Sequence, residues 1–444
     1  MTVAVGSTVG TMATTLDDAP GVCILGLGYI GLPTAAVIAR AGLTVLGVDT
    51  SPHVVDTVNR GRIHIEEPGL EALVREMVAA GRIVAAARPA SAEVFLIAVP
   101  TPSDEQHRPD VGFVLAAAES IAPVLAPGAL VLVESTCPIG TTERVRDRLA
   151  ALRPDLAFPG HDTPDIHVAY CPERVLPGRV LQELVANARS IGGVDPASSA
   201  AAAAFYRRFV AGECVETTAR TAEMVKLMEN ASRDVGIAFA NELSLVAERV
   251  GVDIWEAIAL ANRHPRVDIL RPGPGVGGHC IAVDPWFLVD AAPDLTPLIR
   301  TARAVNDGKA DHVLARARAL LAAHPGARLA CLGLTFKPDV DDLRESPALR
   351  IATALAESHG RRIVVVDPHV AVLPCALMER GATLMTLAQA ERECALGLML
   401  VDHAEFRRDD PPPFLATYDC RGVWPHQQAV AEPTAERPAR RAAA

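Results

Sequence analysis

A few lysines and one cysteine are the side chains of this 444-residue sequence best suited to covalent and proton-transfer chemistry. Only three of its 42 basic residues are lysines, namely Lys226, Lys309 and Lys337, so arginine supplies nearly all of the positive charge. Arginine keeps its proton at any accessible pH, whereas a buried lysine can shift its pKa and exchange protons. Lys309 lies in an ordinary polar stretch and is interpreted as a result of the composition. Lys226 and Lys337 are candidates for a reacting centre, because other signals converge on them.

The cysteine is Cys280, which ends a glycine-rich run that starts at Pro272 and is followed by Asp284. A cysteine is more often a small buried hydrophobe than a nucleophile, but glycines let a ligand approach the backbone and expose the residue that follows them. If a helix begins near Cys280, its N-terminus favours the thiolate and places Asp284 on the same face one turn later. The sequence therefore predicts a reactive thiol with a neighbouring carboxylate.

A second constellation, at residues 22–33, predicts a dinucleotide site. A β-branched run leads into a GxGxxG motif and then into a helix, with Pro33 in its first turn. The glycines of this motif are Gly26, Gly28 and Gly31. They make the tight turn, admit a pyrophosphate to the backbone and let helix and strand pack closely. Asp49 ends the next strand, where a carboxylate binds the ribose 2′-hydroxyl and repels a 2′-phosphate, so the predicted cofactor is NAD rather than NADP.

A thiol beside NAD suggests a particular oxidation. One hydride transfer turns an alcohol into an aldehyde, the thiolate adds to it, a second hydride leaves to give a thioester, and water releases a carboxylate. Lys226 and Asn230 fall on one side of a predicted helix, where they suit proton transfer and stabilisation of the thiohemiacetal oxyanion. A solvated polar face is the commoner fate of such a pair, and that alternative stays open.

The elements that position these residues follow an α/β pattern. Short β-branched runs alternate with alanine-rich helical stretches in the first half of the chain and again after Pro325. This alternation is typical of two Rossmann-like, doubly wound domains. The predicted strands of the first domain are Val22–Leu25, Thr44–Val48, Val94–Val99, Leu130–Glu134 and His167–Tyr170.

Between the two domains, the absence of proline from Thr218 to Val250 predicts a central helical region with one long helix. Its predicted apolar side carries Met224, Met228, Ala231, Val235 and Phe239. Its predicted polar side carries Glu223, Lys226, Asn230 and Arg233. Such a helix could bridge two domains and offer its apolar side to a partner subunit.

Composition excludes several classes of function. No apolar run approaches the roughly 20 residues of a membrane span, and residues 1–20 lack a secretory signal, so we expect a cytoplasmic protein with no membrane partner. A net charge of −11 without a long basic run argues against a nucleic-acid partner. The nine cysteines form no CxxC pairs, which indicates reduced thiols and predicts no metal site.

Seven separated motifs occur in one order and together resemble the UDP-glucose/GDP-mannose dehydrogenase family. They are GLGYIGLP (26–33), AVPTP (98–102), EST (134–136), YCPERVLPG (170–178), ANRHPRV (261–267), GPGVGGHCIAVDPW (273–286) and GLTFKPDVDDLRESP (333–347). The resemblance covers roughly Val22 to Trp424 and is strongest to the branch that acts on UDP-N-acetyl-D-mannosamine.

This resemblance implies an NAD-dependent, four-electron oxidation of UDP-N-acetyl-D-mannosamine at C6 to the uronate, for surface polysaccharide, in a homodimer formed through the central helices. It also implies a domain order. The expected segments are a disordered extension (1–19), an NAD-binding Rossmann domain (20–213), a central helical dimerisation and catalytic region (214–324), a C-terminal UDP-binding α/β domain (325–424) and a disordered tail (425–444).

The resemblance also assigns roles to single residues. Cys280 matches the nucleophile and Lys226 the proton donor or acceptor, and Asn230 and Asp284 complete the expected catalytic set. NAD-contacting positions are matched by Tyr29, Ile30, Asp49, Thr101, Thr136 and Arg344, besides the three glycines. UDP-sugar positions are matched by Arg174, Val175, Lys226, Asn230, Arg233, His264, Arg266, Gly277, Phe336 and Lys337. The alternatives are surface ion pairs for the cations, core packing for Phe336 and a turn cap for His264.

One residue departs from the pattern, and three other functions stay open. Cys137 follows the EST motif where a serine is expected, which adds a second thiol near the predicted nicotinamide site. The same chemistry could act on UDP-glucose, UDP-N-acetylglucosamine or another nucleotide sugar, although His264 and His279 favour an N-acetylhexosamine. A single-hydride hydroxy-acid dehydrogenase would need no thiol, and a catalytically silent NAD-binding sensor would need none of the catalytic residues.

Overall fold

The structure is a computed structural model that describes residues 20–424 apart from residues 105, 279, 409, 411 and 412. The disorder predicted for residues 1–19 and 425–444 lies outside the described residues, as does His279. The chain divides into a first unit, Met1–Ser232 with Val283–Arg300, and a second unit, Arg233–Ala282 with Thr301–Ala444. The domain boundaries expected from the sequence stay a prediction.

Helices and strands alternate along most of the described chain. In chain order they are β1 (Val22–Leu25), α1 (Gly31–Arg40), β2 (Val45–Val48), α2 (Pro52–Asn59), α3 (Leu70–Ala79), β3 (Ile83–Ala86), β4 (Val94–Ile97), α4 (Gly112–Ile121), β5 (Leu130–Val133), α5 (Thr141–Leu152), β6 (His167–Tyr170), α6 (Val180–Ala186), β7 (Arg189–Gly193), α7 (Pro196–Tyr206), β8 (Cys214–Thr218), α8 (Ala219–Val250), α9 (Ile254–Ala261), α10 (Asp284–Ala291), α11 (Pro297–Ala323), β9 (Leu329–Leu332), α12 (Pro347–His359), β10 (Ile363–Val366), α13 (Cys375–Met378), β11 (Thr383–Leu384), α14 (Leu387–Glu393), β12 (Leu396–Met399) and β13 (Ala416–Asp419). Short 3-10 turns cover Ala122–Val124, Gly360–Arg362 and Ala404–Phe406.

The first unit is built on an eight-stranded sheet with the order β3-β2-β1-β4-β5-β6-β7-β8. Its strands run parallel except at the β6/β7 pair. Val22 and Ile24 of β1 enter one apolar cluster, and Cys23 and Leu25 enter another. Both faces of the sheet are therefore covered, which explains why its central strands are short continuous apolar runs. The chain order reverses between β1 and β4, the position where such sheets bind dinucleotides.

The second unit contains a smaller, fully parallel sheet with the order β11-β10-β9-β12-β13. Leu329 and Cys331 of β9 pack into one apolar cluster, while Ala330 and Leu332 pack into the other. This sheet is again buried on both faces. The predicted fold, two Rossmann-like α/β domains with a long central helix, is confirmed.

The five strands predicted for the first domain are confirmed, but the sheet has three more. β3 was missed because its sequence, IVAA, ends in two alanines, and β7 because its sequence, RSIGG, begins with arginine and ends in two glycines. β8, with the sequence CVETT, is a partly exposed edge strand without an apolar run. Periodicity detects strands that are apolar on both faces and misses strands whose burial is uneven.

The long helix expected between Thr218 and Val250 is α8, Ala219–Val250. The first part of its predicted polar side is buried: Glu223 is 0% and Lys226 9% exposed, whereas Asn230 is half-buried and Arg233 is exposed. The large side chains of its predicted apolar side face outward, with Met228 and Phe239 each 52% exposed, whereas Ala231 is buried. The alternative of a solvated polar face is therefore wrong for this part of the helix. No helix in the described ranges has the length and apolar character that a membrane span requires.

Candidate functional site

The three fingerprint glycines occupy positions that match their predicted roles. Gly26 has a φ of +91°, and a Cβ there would lie 2.5 Å from the carbonyl oxygen of Ala98. A Cβ on Gly31 would lie 1.8 Å from the carbonyl oxygen of Gly26, so only glycine lets α1 start so close to the strand. No atom lies within 4 Å of a Cβ built on Gly28. The middle glycine thus borders the open space that a pyrophosphate would need.

The groups around this turn fit the remaining parts of NAD. No side chain caps the N-terminus of α1 at Ile30, and the positive end of a helix dipole suits a phosphate. The Asp49 carboxylate lies beside the turn, because it accepts hydrogen bonds from the backbone N–H of Leu27 at 3.0 Å and of Ser51 at 2.9 Å. These bonds hold the side chain of Asp49, which is expected to bind the ribose 2′-hydroxyl, in a fixed orientation.

Two threonines of the first unit carry buried hydroxyl oxygens without a hydrogen-bond partner among the described residues. They are Thr34, in α1, and Thr101, just after β4. An unpartnered buried polar atom costs about 1–3 kcal/mol, which a bound ligand can recover. Thr101 was predicted to contact NAD, and Thr34 was not. Tyr29, Ile30 and Thr136 also lie beyond the carboxyl ends of β1 and β5, where they are at least partly accessible.

Three of the four predicted catalytic residues meet in the first unit. The side-chain amide of Asn230, on α8, donates a hydrogen bond of 2.5 Å to the Asp284 carboxylate at the start of α10. Asp284 is only 3% exposed, and burial raises its pKa to about 6, against the opposing effects of the Lys226 charge and the Asn230 hydrogen bond. A carboxylate, an ammonium and an amide thus form one buried polar cluster.

Sequence reasoning placed Glu223 on the polar side of α8 but gave it no role. Its carboxylate accepts hydrogen bonds from the backbone N–H of Gly140 at 2.6 Å and from the N–H and hydroxyl of Thr142 at 2.8 and 2.6 Å. Gly140 is the N-cap of α5 and has no side chain to cap that helix. Glu223 supplies the missing cap from α8, one turn before Lys226, and so joins the two helices.

The second thiol noted beside the EST motif is inaccessible. Cys137 is 0% exposed, and burial, followed by the charge of Glu223, raises its thiol pKa well above the ordinary value. The nearby hydroxyl groups of Thr141 and Tyr170 oppose this shift only in part. Cys137 is therefore a neutral buried thiol and does not compete with Cys280 as a nucleophile.

A buried charge network lies beneath the YCPERVLPG segment. Glu173 pairs with Arg189 at 2.6 Å, and both side chains are almost completely buried. The Tyr206 hydroxyl donates to one oxygen of Glu134 at 2.7 Å, while the other oxygen has no partner among the described atoms. Burial and the neighbouring Glu173 raise the pKa of Glu134 to about 7. Glu134 and Glu173 belong to two of the seven motifs, but no motif connected them to each other or to Arg189 and Tyr206, because the four residues are far apart in the sequence.

Two predicted substrate residues follow Glu173 in the same segment. Arg174 pairs with Glu229 at 2.6 Å and donates to the carbonyl of Ala188, which is the ion-pair alternative considered for it. Val175 is half-buried and packs near α6. In this structure Arg174 has protein partners, so a bound diphosphate would compete with Glu229 for its guanidinium.

In the second unit, Cys280 is exposed, as a nucleophile requires. The helix that could have begun near Cys280 begins at Asp284 instead, and Cys280 lies in the turn before it. Pro285 in the first turn of α10 favours this start, because its fixed φ suits the first helical position. Cys280 and Asp284 therefore do not share a helical face, and the expectation that they would is wrong.

The glycine-rich loop contacts the segment 333–347. The backbone N–H of Gly278 donates to the carbonyl of Arg344 at 3.1 Å. A Cβ on Gly278 would lie 2.7 Å from the ring of Phe336, and the ammonium of Lys337 lies 5.7 Å from the centre of that ring. Gly277, Phe336, Lys337 and Arg344, all predicted ligand contacts, are therefore close together.

The remaining predicted substrate residues of the second unit are Arg233, His264 and Arg266, and all three are exposed. The Nδ1 atom of His264 accepts a hydrogen bond from the backbone N–H of Arg266 at 3.3 Å. His264 thus caps its own turn, the alternative considered for it.

Sequence reasoning missed a cavity of about 380 Å³ in this unit, lined by Arg271, Asp402, Arg407, Arg408, Gly422 and Val423.

Among the described residues, Asp339, His369 and His403 lie close enough to share a metal ion, with ligand atoms within 4.8 Å of one another. Two of these atoms already have partners. His403 Nδ1 accepts from the backbone N–H of Asp339 at 3.0 Å, and Asp339 Oδ1 accepts from that of Ala404 at 2.9 Å. These reciprocal hydrogen bonds join segment 333–347 to the end of β12, and they account for the cluster without an ion.

Comparison with known proteins identifies relatives along nearly the whole chain. Three domain models of the UDP-glucose/GDP-mannose dehydrogenase family match it: the NAD binding domain at residues 21–210, the central domain at 220–308 and the UDP binding domain at 330–425. The UDP-N-acetyl-D-mannosamine dehydrogenase of Yersinia pestis is 52% identical over 415 residues, which cover 91% of this chain and 99% of that protein. The NDP-N-acetyl-D-galactosaminuronic acid dehydrogenase of Ralstonia nicotianae is 52% identical over 414 residues, covering 92% and 97%.

Solved structures give the same relationship. The UDP-D-ManNAc dehydrogenase of Pyrococcus horikoshii superimposes with a TM-score of 0.81 at 36% identity, covering 92% of this chain and 97% of its own. The UDP-N-acetyl-mannosamine dehydrogenase of Staphylococcus aureus superimposes with a TM-score of 0.79 at 39% identity, covering 91% and 95%. The similarity therefore extends over both units.

Gly28→Ala tests the dinucleotide site without disturbing the fold. The added methyl group meets no protein atom but occupies the space assigned to the pyrophosphate, so the NAD dissociation constant should rise on the order of tenfold or more while Tm stays unchanged. Isothermal titration calorimetry and thermal melting measure the two effects. Gly308→Ala, a helical glycine with equally open surroundings, is the control. Unchanged NAD affinity in Gly28→Ala would contradict the assignment.

Asp284→Asn tests the electrostatics of the buried cluster. The folded pKa of about 6 lies above the value of about 3.9 in an unfolded chain, so this group's contribution to stability is full below about pH 4 and is lost as the pH rises through about 6. The variant cannot ionise, so its stability relative to wild type should improve between pH 4.5 and 7.5, by on the order of 2 kcal/mol.

Thermal melts of both proteins across this pH range measure the difference. Asp290→Asn, on the exposed side of the same helix, should leave the pH dependence of Tm as it is in wild type. A Tm difference between Asp284→Asn and wild type that does not change with pH would show that the carboxyl group titrates normally.

Proposed function

From the premise that this chain belongs to the UDP-glucose/GDP-mannose dehydrogenase family and is an NAD-dependent nucleotide-sugar dehydrogenase, we propose that it oxidises UDP-N-acetyl-D-mannosamine at C6 to UDP-N-acetyl-D-mannosaminuronate. The observation that carries the proposal is the contrast between its thiols. Cys280 is exposed at the end of the glycine loop, whereas Cys137 is fully buried beside the EST motif.

The sugar is proposed from the names of the relatives. The Yersinia pestis relative named for UDP-N-acetyl-D-mannosamine is 52% identical in sequence. The two solved structures named for the same sugar are 36% and 39% identical and are similar in structure over both units. A relative named for N-acetyl-D-galactosaminuronic acid is equally similar, so a galacto-configured N-acetylhexosamine is the second candidate. Both sugars carry the N-acetyl group that His264 and His279 favoured in the sequence.

The proposed reaction has four steps. NAD, when bound, accepts a hydride from C6 in each of the two oxidations. In the first, the C6 hydroxyl loses its proton to the polar cluster around Lys226, leaving an aldehyde. The thiolate of Cys280 then adds to C6, forming a carbon–sulfur bond, and the oxyanion takes up a proton to give the thiohemiacetal. The second oxidation removes the C6 hydrogen and the hydroxyl proton, which gives a thioester.

Hydrolysis completes the sequence. Water adds to the thioester carbonyl, the carbon–sulfur bond breaks, the electron pair returns to the Cys280 thiolate, and a carboxylate and a proton are released. Asn230 and Lys226 suit the stabilisation of negative oxygen at C6, since both bear N–H donors. Asp284, with a pKa of about 6, is ionised at neutral pH and can hold the positive charge of Lys226 in place.

The UDP part is assigned to the loop cluster of the second unit. Lys337 can offset the charge of the diphosphate, and Phe336 can pack on an apolar face of the ligand. The match of residues 330–425 to the UDP binding domain supports this assignment. Arg233, His264 and Arg266 are exposed and remain proposed contacts of the same ligand.

We also propose a homodimer formed through the central helices. In α8, Met224 and Met228 are 44% and 52% exposed, and Phe239, Val246 and Val250 are between 52% and 63% exposed. A row of large apolar side chains on the outside of a helix is unusual for a monomer and typical of a subunit interface. A second copy of the same helix is the proposed cover.

The first test is a panel of UDP-sugars incubated with NAD, with NADH followed by absorbance and the acid product identified by mass. UDP-N-acetyl-D-mannosamine should give the highest kcat/KM and two NADH per sugar. One NADH per sugar would reject the thioester route in favour of a single-hydride dehydrogenase, and no NADH with any sugar would favour a silent sensor.

The same assay tests the nucleophile. Cys280→Ser should abolish uronate formation and leave NAD affinity as in wild type, because the thiol acts only after the first hydride transfer. Cys375→Ser, which removes another exposed thiol, should retain wild-type turnover. Undiminished turnover in Cys280→Ser would refute the covalent mechanism.

Met228→Glu tests the proposed interface. A charge within the apolar row should convert the dimer to a monomer in light scattering at micromolar concentration, since burying an unpaired carboxylate is costly. Leu415→Glu changes a leucine that is 70% exposed and lies outside α8, and it should leave the dimer intact. A wild-type monomer, or a dimer that survives Met228→Glu, would contradict the proposal.

A further inference from the structure

We infer that Asn241 is a positioning residue for the loop that ends in Cys280; the inference rests on the proposed role of Cys280 as the nucleophile. Asn241 lies on α8 within the second unit and is 0% exposed. Its side-chain oxygen accepts a hydrogen bond of 2.9 Å from the backbone N–H of Gly273, the first glycine of the loop.

A chain of buried hydrogen bonds fixes the orientation of the Asn241 amide. Its nitrogen donates to the side-chain oxygen of Asn306 at 2.9 Å. The nitrogen of Asn306 donates in turn to the carboxylate of Asp234 at 2.8 Å and to its backbone carbonyl at 3.0 Å. Arg303 holds the same carboxylate at 2.6 Å. Because a carboxylate only accepts, each amide in the chain has one orientation, and the last oxygen must face Gly273.

The other end of the loop is held by close backbone approaches. Gly275 has a φ of +134°, and a Cβ there would lie 3.0 Å from the carbonyl oxygen of Asn306. A Cβ on Gly277 would lie 2.4 Å from the carbonyl oxygen of Glu345, and the N–H of Gly278 is bonded to Arg344. The loop therefore passes between α11 on one side and segment 333–347 on the other, without room for a side chain at Gly275 or Gly277.

Segment 333–347 shows a sign of strain at the same place. Glu345 has a φ of +49° and Asp339 a φ of +60°, values that residues other than glycine rarely adopt. Such strain persists only where surrounding contacts impose it, and it collects at functional sites. The carbonyl of Glu345 lies close to Gly277. The residue with the strained backbone therefore packs directly against the loop that ends in Cys280.

These contacts fix the loop at Gly273 and at Gly277–Gly278, just before Cys280. Near-attack geometry requires placement of the sulfur to a fraction of an ångström, and small displacements reduce rates strongly. Asn241 touches neither substrate nor cofactor in this assignment. Its effect on the reaction passes through the position of the loop.

Asn241→Ala should lower kcat on the order of tenfold or more, because it frees the Gly273 end of the loop, with KM for NAD changed less than about twofold. Asn241→Asp keeps an acceptor for Gly273 but places an oxygen against that of Asn306, and it should lower kcat as well. The rate of Cys280 alkylation by iodoacetamide, located by mass spectrometry to separate it from Cys375, should change severalfold in both variants. That rate reports the loop directly and would not respond to a merely structural role elsewhere.

Asn59→Ala is the matched control. Asn59 also makes two hydrogen bonds to the backbone, both to Ala85 at 2.8 and 2.9 Å, far along the chain from the loop. It should lose thermal stability but keep wild-type kcat and wild-type Cys280 alkylation. If Asn241→Ala fails to fold, Asn306→Ala should show the same two effects to a smaller degree, because it removes the orienting partner of Asn241, together with two hydrogen bonds to Asp234, and keeps the bond from Asn241 to Gly273.

Two outcomes separate this inference from the proposed function. If the Asn241 or Asn306 variants that fold keep wild-type kcat and Cys280 alkylation, the positioning role is wrong even when Cys280→Ser is inactive. If Cys280→Ser is fully active, the proposed nucleophile is wrong whatever the asparagine variants show, and the inference falls with it.

Discussion

The burial of the polar side of α8 is the constraint on which the rest of the structure depends. Glu223 and Lys226 in the first unit, and Asp234 and Asn241 in the second, are buried on α8, and Asn230 is half-buried. Burying such groups is unfavourable unless each finds a partner, so the partners fix the rotation of each part of the helix about its axis within its own unit. In the first unit, Lys226 and Asn230 meet Asp284. In the second unit, Asn241 bonds to Gly273 of the loop that ends in Cys280. The rotation of the part in the first unit also turns the methionines outward.

The solvent exposure of the ionisable side chains largely sets their pKa values and their reactivity in this protein. Burial raises the pKa of Cys137 and keeps that thiol neutral, whereas Cys280, on a loop of glycines, stays exposed. Burial also raises the pKa of Asp284 to about 6 and of Glu134 to about 7, so two carboxyl groups of the first unit titrate close to neutrality. Glu134 directly follows the carboxyl end of β5, the usual place for ligand chemistry in α/β proteins, and Asp284 is the first residue of α10.

Local patterns predicted the parts of this protein that depend on local sequence. The glycines at 26, 28 and 31 have steric roles set by their immediate neighbours, and the central strands are apolar on both faces, so both could be predicted. The start of α10 at Asp284 was missed although Pro285 in its first turn is a local signal for it. The cap that Glu223 provides joins residues 83 positions apart, and the bond from Asn241 to Gly273 spans 32. Hydrophobic periodicity is read over about the length of one helix, so it cannot detect contacts between residues this far apart in the sequence.

The first unit is not continuous in sequence, since it takes its last segment, Val283–Arg300, from beyond the start of the second. Because the ribosome synthesises the chain from its N-terminus, all strands of the eight-stranded sheet are made before Asp284. The hydrogen bond between Asn230 and Asp284 can therefore form only after the glycine-rich loop has also been synthesised. A chimera joined at residue 232 would combine the eight-stranded sheet of one parent protein with Asp284 of the other. An exchange of whole structural units must therefore take Val283–Arg300 from the same parent as residues 1–232.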